Sequence, residues 1–157
     1  MQNIEFDRID LKILRFLQEH GRASNLELAE AISLSASQCH RRHRRLEESG
    51  VITGYETRLH AASLGLGVVA FVHVAMEKGH IANLRKFTDA IRALPEVLEC
   101  FSVTGDFDYV LKVVAHDLKS LSQFLMDTLM GLPGVSNVRS SVCLDQIKST
   151  GSLPLPK

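Results

Sequence analysis

Two capping boxes stand eleven residues apart near the start of the chain, Ser24-Asn25-Leu26-Glu27 and Ser35-Ala36-Ser37-Gln38, and no other feature constrains the fold as much. In the S-x-x-E/Q pattern the serine accepts from the third helical amide, and the Glu or Gln reaches back to the serine N–H, so each box starts a helix. The first helix carries Leu28, Ala29 and Ile32 as its apolar residues, and only Ser33 and Leu34 separate it from the second box. Helices joined by so tight a turn must cross steeply. That is the helix-turn-helix arrangement, which lays its second helix in the major groove of DNA.

The second helix reads Cys39-His40-Arg41-Arg42-His43-Arg44-Arg45-Leu46. Its four arginines wrap most of the circumference and cannot form one solvated stripe. Arg42 lies nearest the Cys39 and Leu46 face and is expected to pair with an acid such as Glu30 or Glu47. A cluster of charge is ordinarily a solvated surface, but behind a capped turn it reads as a nucleic-acid contact. The candidate DNA-binding residues are therefore Ser35, Ser37, Gln38, His40, Arg41, Arg42, Arg44 and Arg45, which can reach phosphates or base edges. Lys plus Arg and Asp plus Glu are both 18 over the whole chain, so no global field draws it to DNA. Local contacts and pairing of two copies must supply the affinity.

A further helix precedes this pair, with Asp7 as N-cap, Ile9, Ile13, Leu14 and Leu17 as its apolar face, and Gly21 beyond its end. Gly50 sits where a helix C-cap wants positive φ. Val51-Ile52-Thr53-Gly54-Tyr55 suits a short strand, which predicts a winged helix-turn-helix head over residues 1–60. Glu56 to Ser63 suits an extended tether.

From residue 61 the pattern changes and repeats. Gly67 to Val74 reads as a strand, Leu84, Phe87, Thr88, Ile91 and Leu94 as a helix, and Val97 to Val103 as a strand. The order then recurs: Phe107 to Val114, then Leu118, Leu121, Leu125, Leu129 and Leu132, then Val138 to Leu144. Both helices end on similar words, Leu94-Pro95-Glu96-Val97 and Leu132-Pro133-Gly134-Val135, where proline stops them. Two such units predict an α+β chain whose residues 61–150 form a ferredoxin-like βαββαβ domain with helices on one sheet face, followed by a tail at 151–157. The first strand is apolar on both sides, with Val68, Ala70, Val72 and Val74 opposite Val69, Phe71, His73 and Ala75. The uncovered face therefore asks for a second copy, an isologous dimer, and a charge at Val72 or Val74 is expected to break it.

A 157-residue chain with 45% hydrophobic residues can bury one good core or two small ones. No apolar run spans a bilayer and the first residues lack a signal-peptide pattern, so a cytoplasmic protein is expected. Cys39, Cys100 and Cys143 are isolated in apolar patterns and read as reduced core residues. Neither a cofactor fingerprint nor a catalytic motif is present, and His20, His60, His73, His80 and His116 are scattered without partner spacing.

Asp7 to Leu14, Gly21 to Ala29, Leu34-Ser35-Ala36-Ser37-Gln38-Cys39, Arg44-Arg45-Leu46-Glu47 with Gly50-Val51-Ile52, and Gly105-Asp106-Phe107-Asp108-Tyr109 together resemble the leucine-responsive/asparagine-regulator (Lrp/AsnC) family. The motifs run in order over nearly the whole chain. The resemblance implies a transcription regulator with a DNA-binding head and an effector-sensing tail. It further implies a homodimer that assembles onward, commonly to an octamer, and a small amino acid bound where tail domains meet. His40 and His43 stand where the family usually has aliphatic residues, a departure that bears on the packing of this helix and on its operator.

The implied pocket centres on Thr104, Gly105, Asp106, Phe107 and Asp108, with Ser140 and Ser141 as further polar contacts. On the residues alone the segment is equally a tight turn. Asp106 and Asp108 lack a third hard ligand for a cation. At Gly105 the backbone can approach a ligand carboxylate, and an Asp can accept from its ammonium. Some siroheme decarboxylases share the two-domain architecture, but such an enzyme would be free to lose the arginines that this chain retains. A third reading is a DNA-organising protein whose tail only oligomerises.

Overall fold

The computed structural model describes residues 5–77 and 81–156. The chain divides into two compact units, Met1–Arg58 together with Lys148–Lys157, and Leu59–Ile147.

The first unit is built on three helices, α1 (Arg8–Glu19), α2 (Asn25–Ile32) and α3 (Ala36–Glu48). Each has a side-chain N-cap, and two of the caps are reciprocal. Ser24 Oγ accepts from the Glu27 N–H, and Glu27 returns to the Ser24 N–H at 2.7 Å. Asp7 and Asp10 do the same at the start of α1. At α3 only half the expected box forms: Ser35 Oγ accepts from the Gln38 N–H at 3.4 Å, and the Gln38 side chain is left free of the cap. The turn between α2 and α3 is closed by Ser33 in the left-handed region, φ 59°. Ile13, Leu14, Leu17, Leu28, Ala29, Cys39 and Leu46 are buried together as the core of this unit.

The strand expected at Val51–Tyr55 does not form. A strand needs a ladder partner, and in place of one Val51 and Ile52 pack onto the helical core, with the Ile52 N–H donating to Leu46 O. Leu155, from the end of the chain, packs on the same core.

The second unit holds β1 (Val68–Met76), α4 (Ile81–Arg92), β2 (Val97–Ser102), β3 (Tyr109–Ala115), α5 (Leu118–Gln123) running on into a π-helical turn (Phe124–Leu129), and β4 (Val135–Val142). The sheet order is β2-β3-β1-β4 and every pair is antiparallel, the ferredoxin-like arrangement that the repeat predicts. The two repeated words fold alike: the Val97 N–H donates to Leu94 O, and the Val135 N–H to Leu132 O. Ala70, Val72, Val74 and Met76 meet Phe87, Ile91, Leu121, Phe124 and Leu129 in a core on the helical side of the sheet. The leucine stripe of the second helix is only partly inward, for Leu118 is 62% exposed.

Two expectations change here. Val72 and Val74 are fully buried within the single chain, so a charge there would strike the domain core before any dimer contact. The other face carries Val69, Phe71, His73 and Ala75, and directly paired residues share a face. Rows therefore run Glu99–Lys112–Phe71–Ser141 and Phe101–Val110–His73–Arg139 across the sheet. Phe71 and Phe101 are exposed on it, beside Val69, Val110 and Val114, so this face mixes aromatic and valine side chains. The cysteines also differ from one another: all are free, but only Cys39 is buried, while Cys100 on edge strand β2 is exposed.

Candidate nucleic-acid interface and ligand loop

The arginines of α3 divide by what they touch. Arg42 bonds Asp7 at 2.7 Å and Asp10 at 2.8 Å, and Arg45 bonds the other oxygen of Asp10. The acids expected for Arg42, Glu30 or Glu47, are not its partners. Asp10 is 1% exposed and joins three donors: both guanidinium groups and the Asp7 N–H. It thereby fastens the recognition helix to the first turn of α1, where the helix dipole also favours an anion. The Asp10 N–H and the Arg42 guanidinium hold the Asp7 carboxyl below its ordinary range, and the two carboxylates in turn keep Arg42 charged. Arg44 pairs with Glu48 one turn on, at 2.7 Å with both side chains exposed, a contact of little worth in water. Arg41 is exposed and makes no ion pair among the described residues. Ser35, Ser37, Gln38 and His40 are exposed at the same end of the helix. The exposed cations of α3 are thus Arg41, Arg44 and the outer part of Arg45, behind a polar N-terminus.

Asp10 escapes a reading of sequence because no periodicity pairs position 10 with 42 and 45. The one available signal is Asp7-Arg8-Ile9-Asp10, a reciprocal cap written with Asp in place of Glu. Asn25 and Tyr55 escape for a similar reason. The Asn25 amide lies 3.1 Å from His40 Nδ1 and 2.9 Å from His43 Nδ1, while His43 Nε2 meets the Tyr55 hydroxyl at 2.5 Å. Tyr55 in turn donates to Glu47 at 3.1 Å. The two histidines therefore replace apolar packing by a polar chain linking α2, α3 and the arm that follows. Burial of the Tyr55 hydroxyl, helped by Glu47, pushes its pKa to about 12, so it stays a donor at any physiological pH.

In the second unit the Gly105 segment joins β2 to β3. The Val103 N–H donates to Asp108 O, and the Asp108 N–H donates to Val74 O. One carboxylate oxygen of Asp108 accepts from the Met76 N–H at 2.7 Å, where β1 bulges against β4. Asp108 thus ties the loop down, while Asp106 is exposed beside Thr104. Gly105 has φ 119°, a conformation L side chains resist, with nothing within 4 Å of where a Cβ would stand. Phe107 folds over the open sheet face: its ring centroid lies 5.3 Å from that of His73 and 5.4 Å from the Arg139 guanidinium carbon. His73 Nδ1 is buried there without a hydrogen-bond partner. Of the two serines, Ser141 is registered opposite Phe71 on this face and Ser140 opposite Val72 on the helical side. Successive strand residues cannot both turn to one ligand on one face. Among the described residues no group of three or more His, Cys, Asp or Glu could share a metal ion, and no helix is long and apolar enough to cross a membrane.

Residues 6–53 match the family described as winged helix-turn-helix DNA-binding, and residues 69–153 match the Lrp/AsnC ligand binding domain. The leucine-responsive regulatory protein of Rhizobium meliloti is 42% identical over 145 residues, 92% of this chain and 93% of its own length. The protein of the same name from Escherichia coli K12 is 38% identical, over 95% of this chain and 91% of its own. Among solved structures, a transcriptional regulator from Neisseria meningitidis in complex with L-methionine superposes with a TM-score of 0.92 at 41% identity, covering 96% of this chain and 97% of that one. An AsnC family transcriptional regulator from Agrobacterium tumefaciens gives 0.89 at 34% identity, covering 95% and 97%.

Proposed function

The chain belongs to the Lrp/AsnC family of transcriptional regulators, and from that premise we propose that it is a cytoplasmic, non-enzymatic regulator that binds an operator as a homodimer or larger assembly and responds to a free amino acid. The helix-turn-helix head and the ligand-binding domain come with the family; the effector class, its seat and the assembly are our reading. In that reading α3 enters the major groove with Arg41 and Arg44 on the DNA and Ser35, Ser37, Gln38 and His40 at its leading end. Arg42 and Arg45 serve DNA binding by orienting the helix through Asp10.

The observation that carries the sensing proposal is the open backbone at Gly105. Positive φ with no neighbour at the Cβ position leaves room for a ligand carboxylate against the loop amides, and exposed Asp106 can take its ammonium. A methionine complex of the Neisseria relative makes L-methionine the first candidate. Two copies meeting through the Phe71 and Phe101 face would enclose such a site between subunits, and further association to an octamer would repeat it.

The test is calorimetry with each common amino acid, followed by operator titration with and without the ligand found. Gly105→Val should abolish the response, and Asp106→Asn should weaken the ligand, with operator affinity in its absence unchanged. If no amino acid binds at millimolar concentration, the loop is a turn and the sensing proposal fails.

A further inference from the structure

Arg15 and Gln18 lie one turn apart on the exposed side of α1, and both are occupied by the end of the chain. The Gln18 amide grips one residue twice: its Nε2 donates to Leu153 O at 3.2 Å, and its Oε1 accepts from the Leu153 N–H at 2.5 Å. This is the pairing a neighbouring strand would offer, supplied by one side chain. The Arg15 guanidinium takes Pro156 O, and Leu155 packs against the helical core between these two holds. The Leu153 side chain is 71% exposed, so the recognition there is of backbone. Prolines at 154 and 156 restrict the residues before them to extended conformations and remove competing N–H donors. The segment therefore reaches the helix with little entropy left to lose.

We infer that this side of α1 is a docking site for an extended Leu-Pro-Leu-Pro segment, and that its occupant is this chain's own residues 153–156 acting as a latch. Residues up to Ile147 belong to the second unit and residues from Lys148 to the first. The chain therefore passes between the two units twice, after Arg58 and after Ile147, and docking fixes the second passage on the first unit. The hold on the DNA-binding unit falls on α1, the same helix whose Asp7 and Asp10 orient α3. The latch stands independently of any effector.

A labelled peptide of residues 151–157, titrated by fluorescence anisotropy, tests this. The peptide should bind a chain ending at Thr150, whose seven buried core residues are all retained. It should bind the full chain at least tenfold more weakly, because a tethered segment competes at roughly millimolar effective concentration. Gln18→Ala in the shortened chain should weaken it about tenfold, since two hydrogen bonds are lost. No binding to the shortened chain at millimolar peptide, or equal binding to both chains, overturns the inference. So does peptide affinity for the full chain that rises on dilution, which would make a second copy the occupant. A second measurement avoids truncation: in full-length Gln18→Ala, trypsin should cut after Lys148 at least tenfold faster than in the parent, and an unchanged rate overturns the latch.

Discussion

Asp10→Ala should do more damage to the head than removal of any arginine of α3. The carboxylate is 1% exposed and accepts from Arg42, Arg45 and the Asp7 N–H. Deleting one member of a buried ion pair costs about 3–5 kcal/mol when the charge left behind is itself buried. Here Arg42 keeps Asp7 as a partner, and the Arg45 side chain is 55% exposed and can recover water. The loss should therefore fall at the low end, about 3 kcal/mol. In a unit of this size each kcal/mol shifts Tm by about 4–8 °C, so a fall of about 12–24 °C is expected in a melt of the helical signal. Arg41→Ala in the same assay should leave Tm unchanged within a degree or two. A double-mutant cycle of Asp10→Ala with Arg45→Ala should show coupling above about 0.5 kcal/mol. A Tm shift below about 4 °C for Asp10→Ala, or strictly additive mutants, would refute the view that Asp10 fastens the recognition helix.

In operator titrations, Arg41→Ala should weaken binding, and if it contacts a phosphate the slope of log affinity against log salt should drop by about one. Gly134→Ala should destabilise the second unit by about 1–3 kcal/mol in urea melts, because φ is 81° and a Cβ would stand 2.8 Å from Asn83 Cβ. Phe71→Lys should dissociate the proposed dimer in sedimentation while the monomer stays folded, since Phe71 lies on the open face; a variant that sediments like its parent would place the interface elsewhere. The caps Asp7, Glu27 and Asp117 all have pKa values lowered, in each case first by a backbone N–H donated to the carboxylate. Their contribution is complete above the unfolded carboxylate range near pH 4 and is lost as pH falls below it. Acid titration should therefore fray α1, α2 and α5 together, which amide exchange can read at each helix start.

The helices and the sheet were legible because their causes are local. A serine and a glutamate three residues apart cap α2 whatever surrounds them, and the βαβ words fold alike because Pro95 and Pro133 stop both helices at one geometry. What stayed hidden is set by partners distant in sequence. Val51–Tyr55 has strand composition, yet a strand exists only when another lies beside it. Val72 and Val74 were readily placed on one face, but which face the helices cover is decided by the handedness of the β-α-β crossovers. The turn at Gly105 was visible, whereas the stack of Phe107 on His73 within β1 and Arg139 within β4 joins residues far apart in sequence and leaves no mark on any one. The tie of Arg42 and Arg45 to Asp10, more than thirty residues away, is likewise set by the fold and not by spacing.

The first unit is discontinuous: its main part ends at Arg58 and it is completed only from Lys148. On the ribosome its three helices emerge early, but the segment that lies along α1 follows only after the whole second unit has been made. At about 5–20 residues per second, the stretch of roughly 100 residues up to Leu155 keeps the head waiting about 5–20 s before Leu155 can reach it. During that interval Arg15 and Gln18 offer an unfilled backbone-binding edge to any extended chain nearby, including residues 153–156 of a neighbour on the same message. The order of synthesis thus favours exchange of the segment between copies being made side by side, and slower translation of residues 59–147 should increase the exchanged fraction.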